Sequence, residues 1–266
     1  MAPDVLTLAV IKDFWVLSDY PDGRGKRRFG KLRDLLNAII DHPMALNIEQ
    51  ARFNMVEQQI RTWDVLDQDV LDLLYVVARE DFVPAAYKGL AFSDMEIPIG
   101  EVGGLPQRMM PPKMEARIVQ ELALKKSDRV LEVGTGSGYL TALLAHRAAH
   151  VRSVEIGAQL AEFGRGNLAR HGVENVFLES GDAARGWSAH APYDVVVLTG
   201  STPVLPAAIL SQLASGGRLF AIIGNSPSMI ATLVTAQAPG IFSRVELFDT
   251  LIAPLANAER PSLFNF

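Results

Sequence analysis

Three glycines alternate with other residues in the segment Val130–Tyr139, whose sequence is VLEVGTGSGY. The apolar run before the glycines is typical of a buried strand, and the residues from Tyr139 to Arg147 have helical periodicity. Glycines at such a strand-to-helix turn permit positive φ angles and let a ligand approach bare backbone, while the new helix offers free N–H groups. The segment therefore predicts a ligand site at the end of a strand in a layered α/β fold.

Strands and helices alternate along the chain around this segment. Helices are predicted over Glu115–Leu124, Tyr139–Arg147, Ala158–His171 and Leu205–Leu213, and strands over Arg129–Val133, Val151–Glu155, Val176–Glu179, Tyr193–Leu198 and Arg218–Ile223. Two further strands, Ile230–Thr235 and Arg244–Leu251, flank a turn and are typical of a hairpin. This alternation predicts an α/β fold with a doubly wound, mostly parallel sheet and a C-terminal β-hairpin.

The chain before the alternation has a different pattern. Apolar residues recur at helical spacing over Asn47–Val83, where Asp67 is a predicted N-cap. The many glycines and prolines of Ala91–Pro112 instead predict an irregular loop, and a loop of that length is more often functional than idle. Residues 47–266 are interpreted as one domain.

Residues 1–46 are interpreted as an unassigned N-terminal extension. The alternative is that the start of the protein has been misassigned and placed upstream of Met44. They contain a helical pattern at Leu32–Ile40 and a basic run at Gly23–Arg33. The basic run is either a solvated segment or a contact for a phosphate or a partner.

Composition restricts the functional classes that this chain can belong to. With no cysteine among 266 residues, disulfide scaffolds, thiol catalysis, cysteine-ligated zinc and iron–sulfur clusters are excluded. The formal net charge of −5 and the lack of a long apolar run predict no nucleic-acid partner and no membrane partner. The five histidines show no metal-ligand spacing, so no metal site is predicted. We expect a monomer, and the lack of cysteine is typical of a reducing, cytoplasmic location.

The acidic residues near the glycines indicate which ligand to expect. Glu132 precedes the first glycine, and a carboxylate there would repel the pyrophosphate of a dinucleotide but attract an ammonium and a sulfonium. Tyr139 also stands where the dinucleotide fingerprint requires its third glycine. Glu155 ends the second strand, where it can accept hydrogen bonds from ribose hydroxyls, and Asp182 follows Gly181, where it can accept one from an adenine amino group. Each residue alone also fits a turn or a solvated strand end, but their order together predicts binding of S-adenosylmethionine (SAM).

Several segments, in the same order, resemble class I methyltransferases and, within them, the protein-L-isoaspartate O-methyltransferase family. The resemblance covers about residues 50 to 255 and rests on REDFVP (Arg79–Pro84), IPIG (Ile97–Gly100), RVLEVGTGSGYLTALLA (Arg129–Ala145), HVRSVE (His150–Glu155), GDAARGW (Gly181–Trp187), APYDVVVLT (Ala191–Thr199) and LASGGRL (Leu213–Leu219). It implies a Rossmann-like fold with N-terminal helices and transfer of a methyl group from SAM to the α-carboxylate of L-isoaspartyl residues. That reaction belongs to the repair of damaged proteins, so the implied partner is a peptide or protein substrate.

The resemblance and the spacing together assign the cofactor-binding residues. They are Glu132, Gly134, Thr135, Gly136, Ser137, Gly138, Glu155, Ile156, Gly181, Asp182 and Ala183.

The loop that should line the acceptor site departs from the family pattern Q-T-I-S-x-P. Gln107 and Pro112 match the pattern, but Arg108 stands where threonine is expected and Met110 where the active-site serine is expected. No catalytic residue is therefore assigned. The predicted substrate-binding residues are Arg108, Met110, Thr199 and Ser201.

The altered loop leaves several interpretations open. Met109 and Met110 can simply pack the loop onto the sheet, with Arg108 in solvent. A carboxylate is already anionic near pH 7, so methyl transfer to it needs no general base and can survive the loss of the serine. A methyltransferase with a different acceptor and a SAM-binding adaptor without catalysis are the alternatives. A nicotinamide-dependent oxidoreductase is not expected, because Glu132 would repel the pyrophosphate of its cofactor and Tyr139 replaces a glycine of the dinucleotide fingerprint.

Overall fold

The computed structural model of the protein describes residues 43–260. The chain divides into two units, residues 1–50 and 51–266, and the first is described only where it enters helix α1 (Pro43–Asn54). The predictions for the helical pattern at Leu32–Ile40 and for the basic run at Gly23–Arg33 lie outside the described residues. The elements that follow α1 belong to the second unit.

The segment predicted to be helical over Asn47–Val83, with a second helix starting at Asp67, forms several short helical elements. After α1 come a π-helical stretch at Met55–Ile60, a 3-10 turn at Arg61–Trp63 and helix α2 at Gln68–Val76. Asp67 caps α2 as predicted, since its side chain accepts hydrogen bonds from the N–H groups of Asp69 and Val70 at 2.9 and 3.4 Å. The helical pattern breaks at Asp64, whose φ of 58° places it in the left-handed region.

The prediction of an irregular loop at Ala91–Pro112 is wrong, because much of this segment forms an antiparallel hairpin. Strand β1 (Ile97–Val102) pairs with strand β2 (Leu105–Met109). Gly103 and Gly104 join them with φ angles of 58° and 76°, and a two-residue hairpin turn with positive φ at both positions favours glycine. The glycines that count against a strand in the sequence thus build the turn between two strands.

The remaining strands form one sheet of seven. Their bounds are β3 (Arg129–Val133), β4 (His150–Glu155), β5 (Val176–Ser180), β6 (Tyr193–Thr202), β7 (Leu213–Asn225), β8 (Ser228–Ala238) and β9 (Ile241–Thr250), and the helices among them are α3 (Pro112–Leu122), α4 (Tyr139–Arg147), α5 (Ala158–Arg170) and α6 (Ala207–Leu210). The order is β5-β4-β3-β6-β7-β8-β9, with parallel pairing from β5 to β7 and antiparallel pairing from β7 to β9. The predicted doubly wound α/β fold and its C-terminal hairpin are confirmed.

One predicted helix is much shorter than expected. The sequence predicts a helix over Leu205–Leu213, but α6 has only four residues. Pro206 directs the residue before it away from helical geometry, and Leu213 already belongs to β7. Within residues 43–260, no helix combines the length and the apolar character that crossing a membrane requires.

Both faces of the sheet are covered, and this fixes where a ligand can enter. Val130 and Val195 pack on the face that α2, α3 and α4 cover, while Leu131 and Val196 pack on the face that α6 covers. Strands β3 and β6 are neighbours although β4 and β5 lie between them in the chain. The strand order therefore reverses between β3 and β6, and the carboxyl ends of these two strands form the crevice where such sheets bind ligands.

Candidate active site

The glycine loop after β3 has a backbone that a side chain would distort. Gly134 and Gly136 have φ angles of 97° and 53°, in the left-handed region that favours glycine. A Cβ at Gly134 would lie 2.2 Å from the Oγ1 atom of Thr199. That hydroxyl lies 2.8 Å from the carbonyl oxygen of Val133 and 2.9 Å from that of Gly134, so Thr199 braces the loop. Bare backbone therefore lines this strand end, as predicted from the sequence.

The third glycine of the loop serves helix packing. Gly138 is the N-cap of α4 with a φ of 82°, and a Cβ there would lie 3.1 Å from the carbonyl oxygen of Gly164 in α5. The loop and α5 are in close contact at this point, so no side chain fits between them. Gly138 thus serves packing and, unlike Gly134 and Gly136, is not among the residues that line the cleft.

The β1–β2 hairpin covers the glycine loop. The Cδ1 atom of Ile99 lies 3.2 Å from where a Cβ of Gly136 would be, and the Cγ2 atom of Val102 lies 2.6 Å from where a Cβ of Gly157 would be. Glycines on the sheet side therefore let the hairpin approach the strand ends closely.

A cleft lies between the hairpin, α3 and the glycine loop. It brings together five predicted cofactor residues, Glu132, Gly134, Thr135, Gly136 and Ser137, with three predicted substrate residues, Arg108, Met110 and Thr199. Four further residues line it that the sequence did not single out as cleft residues: Ile99, Met109, Glu115 and Leu140. The predicted cofactor and acceptor residues thus line the same cleft, although they come from separate segments of the chain.

Glu132 is fully buried in the wall of the cleft. Its Oε2 atom accepts hydrogen bonds from the hydroxyls of Thr141 and Ser153 at 2.5 and 2.6 Å, while its Oε1 atom has no hydrogen-bond partner among the described residues. The pKa of Glu132 is raised to about 8, chiefly by burial and to a smaller extent by the charge of Glu155, while the hydrogen bonds from Ser153 and Thr141 oppose the rise. Burial therefore favours the protonated form of Glu132, and a cation near its free oxygen would favour the carboxylate.

Glu155 is buried at the carboxyl end of β4 and is held by backbone. Its Oε2 atom accepts a hydrogen bond from the N–H of Gly136 and its Oε1 atom one from the N–H of Gly157, both at 2.9 Å. Each carboxylate oxygen can accept more than one hydrogen bond, so lone pairs remain for the hydroxyls of a ribose. The N–H of Gly181 donates to the carbonyl oxygen of Glu155 at 3.0 Å, which aligns the ends of β4 and β5.

The remaining predicted cofactor residues lie outside the lining of the cleft. Asp182 is exposed, and its carboxylate accepts hydrogen bonds from the N–H of Ala184 at 3.0 Å and from the side-chain amide of Asn257 at 2.9 Å. Ala183 is buried beneath this turn, whereas the side chain of Ile156 is partly exposed beyond the end of β4. The structure places these residues beside the third and second strand ends, where the sequence predicted them, but does not join them to the cleft.

Two substrate candidates of the altered loop lie side by side at the cleft. Arg108 is partly exposed, and its Nε atom lies 3.7 Å from a carboxylate oxygen of Glu96. Met110 is buried in the core that surrounds the cleft, so the packing interpretation of this methionine is correct as far as its side chain goes. It nevertheless lines the cleft together with Arg108, which is therefore not simply a solvent-facing residue.

The hydroxyls of the other two substrate candidates already form hydrogen bonds with backbone carbonyl oxygens. Thr199 lines the cleft with a hydroxyl that already contacts the glycine loop. Ser201 is buried under the C-terminal segment, where its hydroxyl donates to the carbonyl oxygen of Ile252 at 3.2 Å and its N–H to that of Ala253 at 3.0 Å. The structure therefore does not bring Ser201 to the cleft.

The sequence did not predict a buried ion pair behind the acceptor wall, which is the part of the cleft lined by Arg108, Met110 and Glu115. Arg79 is completely buried and pairs with the carboxylate of Glu115, which lines the cleft. Its guanidinium also donates to the carbonyl oxygens of Ala91 and Met110 at 2.9 and 2.6 Å and lies 5.0 Å from the ring centre of Tyr139. Arg79 stands in the segment REDFVP, which carries the family resemblance, but no periodicity signals that an arginine in a turn is buried.

Comparisons with known proteins identify relatives of this chain. The matching family model is protein-L-isoaspartate(D-aspartate) O-methyltransferase, over residues 50–260. A protein-L-isoaspartate O-methyltransferase from Methanoculleus marisnigri is 42% identical over 173 residues, which are 65% of this chain and 77% of the relative. A solved protein-L-isoaspartate O-methyltransferase has 25% identity and a TM-score of 0.66, with 77% of this chain matched and 66% of that chain spanned.

A second solved structure has the same fold. It is a Plasmodium falciparum protein described as a protein-L-isoaspartate O-methyltransferase, in complex with S-adenosyl-L-homocysteine, with 20% identity, a TM-score of 0.64 and coverage of 76% of this chain and 97% of that chain. The family match, the relatives and the shared fold lead to one conclusion. The chain belongs to the protein-L-isoaspartate(D-aspartate) O-methyltransferase family, which confirms the predicted resemblance, the Rossmann-like methyltransferase fold and SAM as the cofactor.

Proposed function

We propose that this protein transfers the methyl group of SAM to the α-carboxylate of L-isoaspartyl residues in damaged proteins, in the cleft under the β1–β2 hairpin. The observation that carries the proposal is the meeting of Arg108 and Met110 with the glycine loop in one cleft. An acceptor beside Arg108 would lie next to the cofactor-binding backbone. Membership of the family supplies the substrate class.

The residues present fit the cofactor. The left-handed glycine loop leaves bare backbone, Glu155 offers free lone pairs, and the Oε1 atom of Glu132 is a buried acceptor with no partner within residues 43–260. When bound, SAM supplies an electrophilic methyl group on a sulfonium. Glu132 would face the positive end of that ligand, Glu155 would hold its ribose, and the turn at Gly181–Ala183 would lie toward its adenine.

The acceptor side needs to orient an anion rather than to remove a proton. A carboxylate is already ionised near pH 7, so the chain's task is to align it and to exclude water. Arg108 is suited to pair with the acceptor carboxylate, since a guanidinium binds carboxylates with directional hydrogen bonds. Met110 offers an apolar wall in place of the hydroxyl that the family pattern has there, which removes one positioning hydrogen bond worth about 1 to 3 kcal/mol.

The proposal is tested with labelled SAM, an isoaspartyl peptide and its normal aspartyl twin. We expect label that is released as methanol after base treatment from the isoaspartyl peptide alone. Arg108→Ala should raise the KM for the peptide more than Arg108→Lys does, and Met110→Ser should increase the rate. Tight SAM binding without transfer to either peptide would overturn the proposal.

A second candidate follows from the same altered loop. The apolar Met110 at the serine position also suits a less polar acceptor than an isoaspartyl carboxylate, which would make the protein a methyltransferase of different specificity. A catalytically silent SAM-binding adaptor is the other alternative. A screen of cell extract with labelled SAM separates the two, because only the methyltransferase labels a product.

The wider setting of the enzyme is part of the same proposal. We propose residues 47–266 as the methyltransferase domain and residues 1–46 as an extension, and the family match from residue 50 onward supports this division. The net charge of −5 and the cysteine-free composition support a cytoplasmic enzyme without a nucleic-acid partner. The expected monomer can be checked by the molar mass in solution.

A further inference from the structure

The charge of the acceptor wall depends on groups behind it. Among the described residues that line the cleft, Arg108 carries a positive charge, while Glu115 and Glu132 are carboxylic acids. An anionic acceptor is repelled by a bare carboxylate in a poorly solvated cleft. The protonation or pairing of the two glutamates therefore decides whether a carboxylate substrate can enter.

Arg79 is the group that pairs with one of them. Its side chain is completely buried, does not line the cleft, and reaches Glu115 of α3 from the turn before the hairpin. It also holds the carbonyl oxygen of Met110 at 2.6 Å, at the point where β2 leads into α3. One guanidinium thus contacts two parts of the acceptor wall.

We propose that Arg79 is a positioning residue for methyl transfer: it cancels the charge of Glu115 and fixes the wall at Met110, so that an acceptor carboxylate can bind beside Arg108. The inference rests on the proposed function, since it assumes an anionic acceptor. Arg79 itself touches neither substrate nor cofactor and acts through these two residues.

The surroundings of Arg79 keep it cationic. Burial lowers its pKa to about 10, against the effects of Tyr139 and Asp94, so the guanidinium stays charged at neutral pH. Asp94 is itself paired with Lys113 at 2.7 Å. Glu115 is therefore the carboxylate that the charge of Arg79 neutralises at short range.

Four variants test the inference: Arg79→Met, Arg79→Lys, Glu115→Gln and the double variant Arg79→Met/Glu115→Gln. The readouts are the Kd of an isoaspartyl peptide in the presence of S-adenosylhomocysteine, the KM and kcat for that peptide, the Kd of SAM and the Tm. Arg129→Met is the matched control, because Arg129 pairs with Asp194 at the far end of β3 from the cleft.

Arg79→Met should raise the Kd of the peptide at least about tenfold at a pH at which the unpaired Glu115 is ionised, and by less at lower pH, where burial keeps Glu115 protonated. The effect should lie in KM rather than in kcat. In the Glu115→Gln background the same change should cost less than about threefold, because the charge that it uncovers is gone. Arg79→Lys keeps the charge but not all three contacts of the guanidinium, so it should lose less peptide binding than Arg79→Met does. The Kd of SAM should stay within about twofold throughout. An equal loss of peptide binding in both backgrounds would mean that Arg79 is only structural and would overturn the proposal.

Glu115→Gln keeps the inference testable if Arg79→Met does not fold. With Glu115 neutral, the charge of Arg79 is no longer balanced, so peptide binding should tighten by roughly threefold. Unchanged or weaker binding would overturn the proposal. If the wild-type protein neither binds nor methylates the isoaspartyl peptide, the proposed function falls together with this inference. If it does both and the variants show no coupling, the inference alone falls.

Discussion

The two sides of the cleft treat a buried carboxylate in opposite ways. On the acceptor side, Glu115 is paired with the guanidinium of Arg79. On the cofactor side, Glu132 has two hydroxyl donors and no cation, and one of its oxygens has no partner among the described residues. Because Glu115 is already paired, it has little affinity for a cationic ligand. Glu132 has no such partner, so a cationic ligand would stabilise its carboxylate. One cleft can therefore hold a sulfonium on one side and a carboxylate on the other.

Removing the cation from the acceptor side should have the largest effect on stability. Arg79→Met leaves Glu115 buried without its partner, and breaking a buried pair in this way costs about 3 to 5 kcal/mol of the free energy of unfolding. Arg129→Met breaks a pair with Asp194 that is far more exposed, which should cost at most about 1 kcal/mol. Urea denaturation of both variants measures the difference. Similar small losses would show that the Arg79 pair is not a buried charge pair in solution.

On the cofactor side, the corresponding test is the pH dependence of stability. Burial raises the folded-state pKa of Glu132 to about 8 from an ordinary value of 4.5, so the folded protein binds this proton more tightly than the unfolded chain does. The contribution of Glu132 to the free energy of unfolding therefore falls as the pH rises from about 4.5 to about 8, and it is constant above.

Glu132→Gln has no such titration. Between pH 5 and pH 8 its free energy of unfolding should gain roughly 3 kcal/mol relative to that of the wild type. Unfolding curves at four pH values without ligand measure this gain. Parallel pH profiles of the two proteins would mean that Glu132 stays ionised and would remove the contrast with Glu115.

The same contrast explains which parts of the site could be predicted from the sequence. The cofactor side consists of one contiguous loop and the ends of neighbouring strands, so Gly134 and Glu155 follow from local pattern and from strand order. The acceptor side joins Arg79 to Glu115 across 36 positions, and no periodicity records that contact. The hairpin was missed because Gly103 and Gly104 break a strand pattern yet are also the residues that a tight turn requires.

The glycine loop is where the cofactor side should be most sensitive to a single added methyl group. Gly134→Ala forces a Cβ at a φ of 97° and to within 2.2 Å of the hydroxyl of Thr199, which braces the loop. We expect SAM binding to weaken by about 2 kcal/mol, or roughly thirtyfold, with a much smaller effect on a preformed acceptor wall. Gly172→Ala is the control, since that glycine also has a positive φ of 61° but nothing within 4 Å of an added Cβ. Equal losses of SAM affinity in the two variants would locate the effect in general backbone strain.

The smallest of these effects should come from Glu155. When its carboxylate is removed, water can accept hydrogen bonds from the N–H groups of Gly136 and Gly157 in its place. Glu155→Ala should weaken SAM binding by about 1.5 kcal/mol, the low end of the range for hydrogen bonds to a charged acceptor. Glu155→Gln retains one carbonyl oxygen and should lose less, while Glu162→Ala changes an exposed glutamate of α5 and should lose nothing. Calorimetric titration with SAM measures all three. If Glu155→Ala binds SAM as tightly as Glu162→Ala does, the carboxylate serves only the N–H groups of Gly136 and Gly157, and the ribose lies elsewhere on the cofactor side.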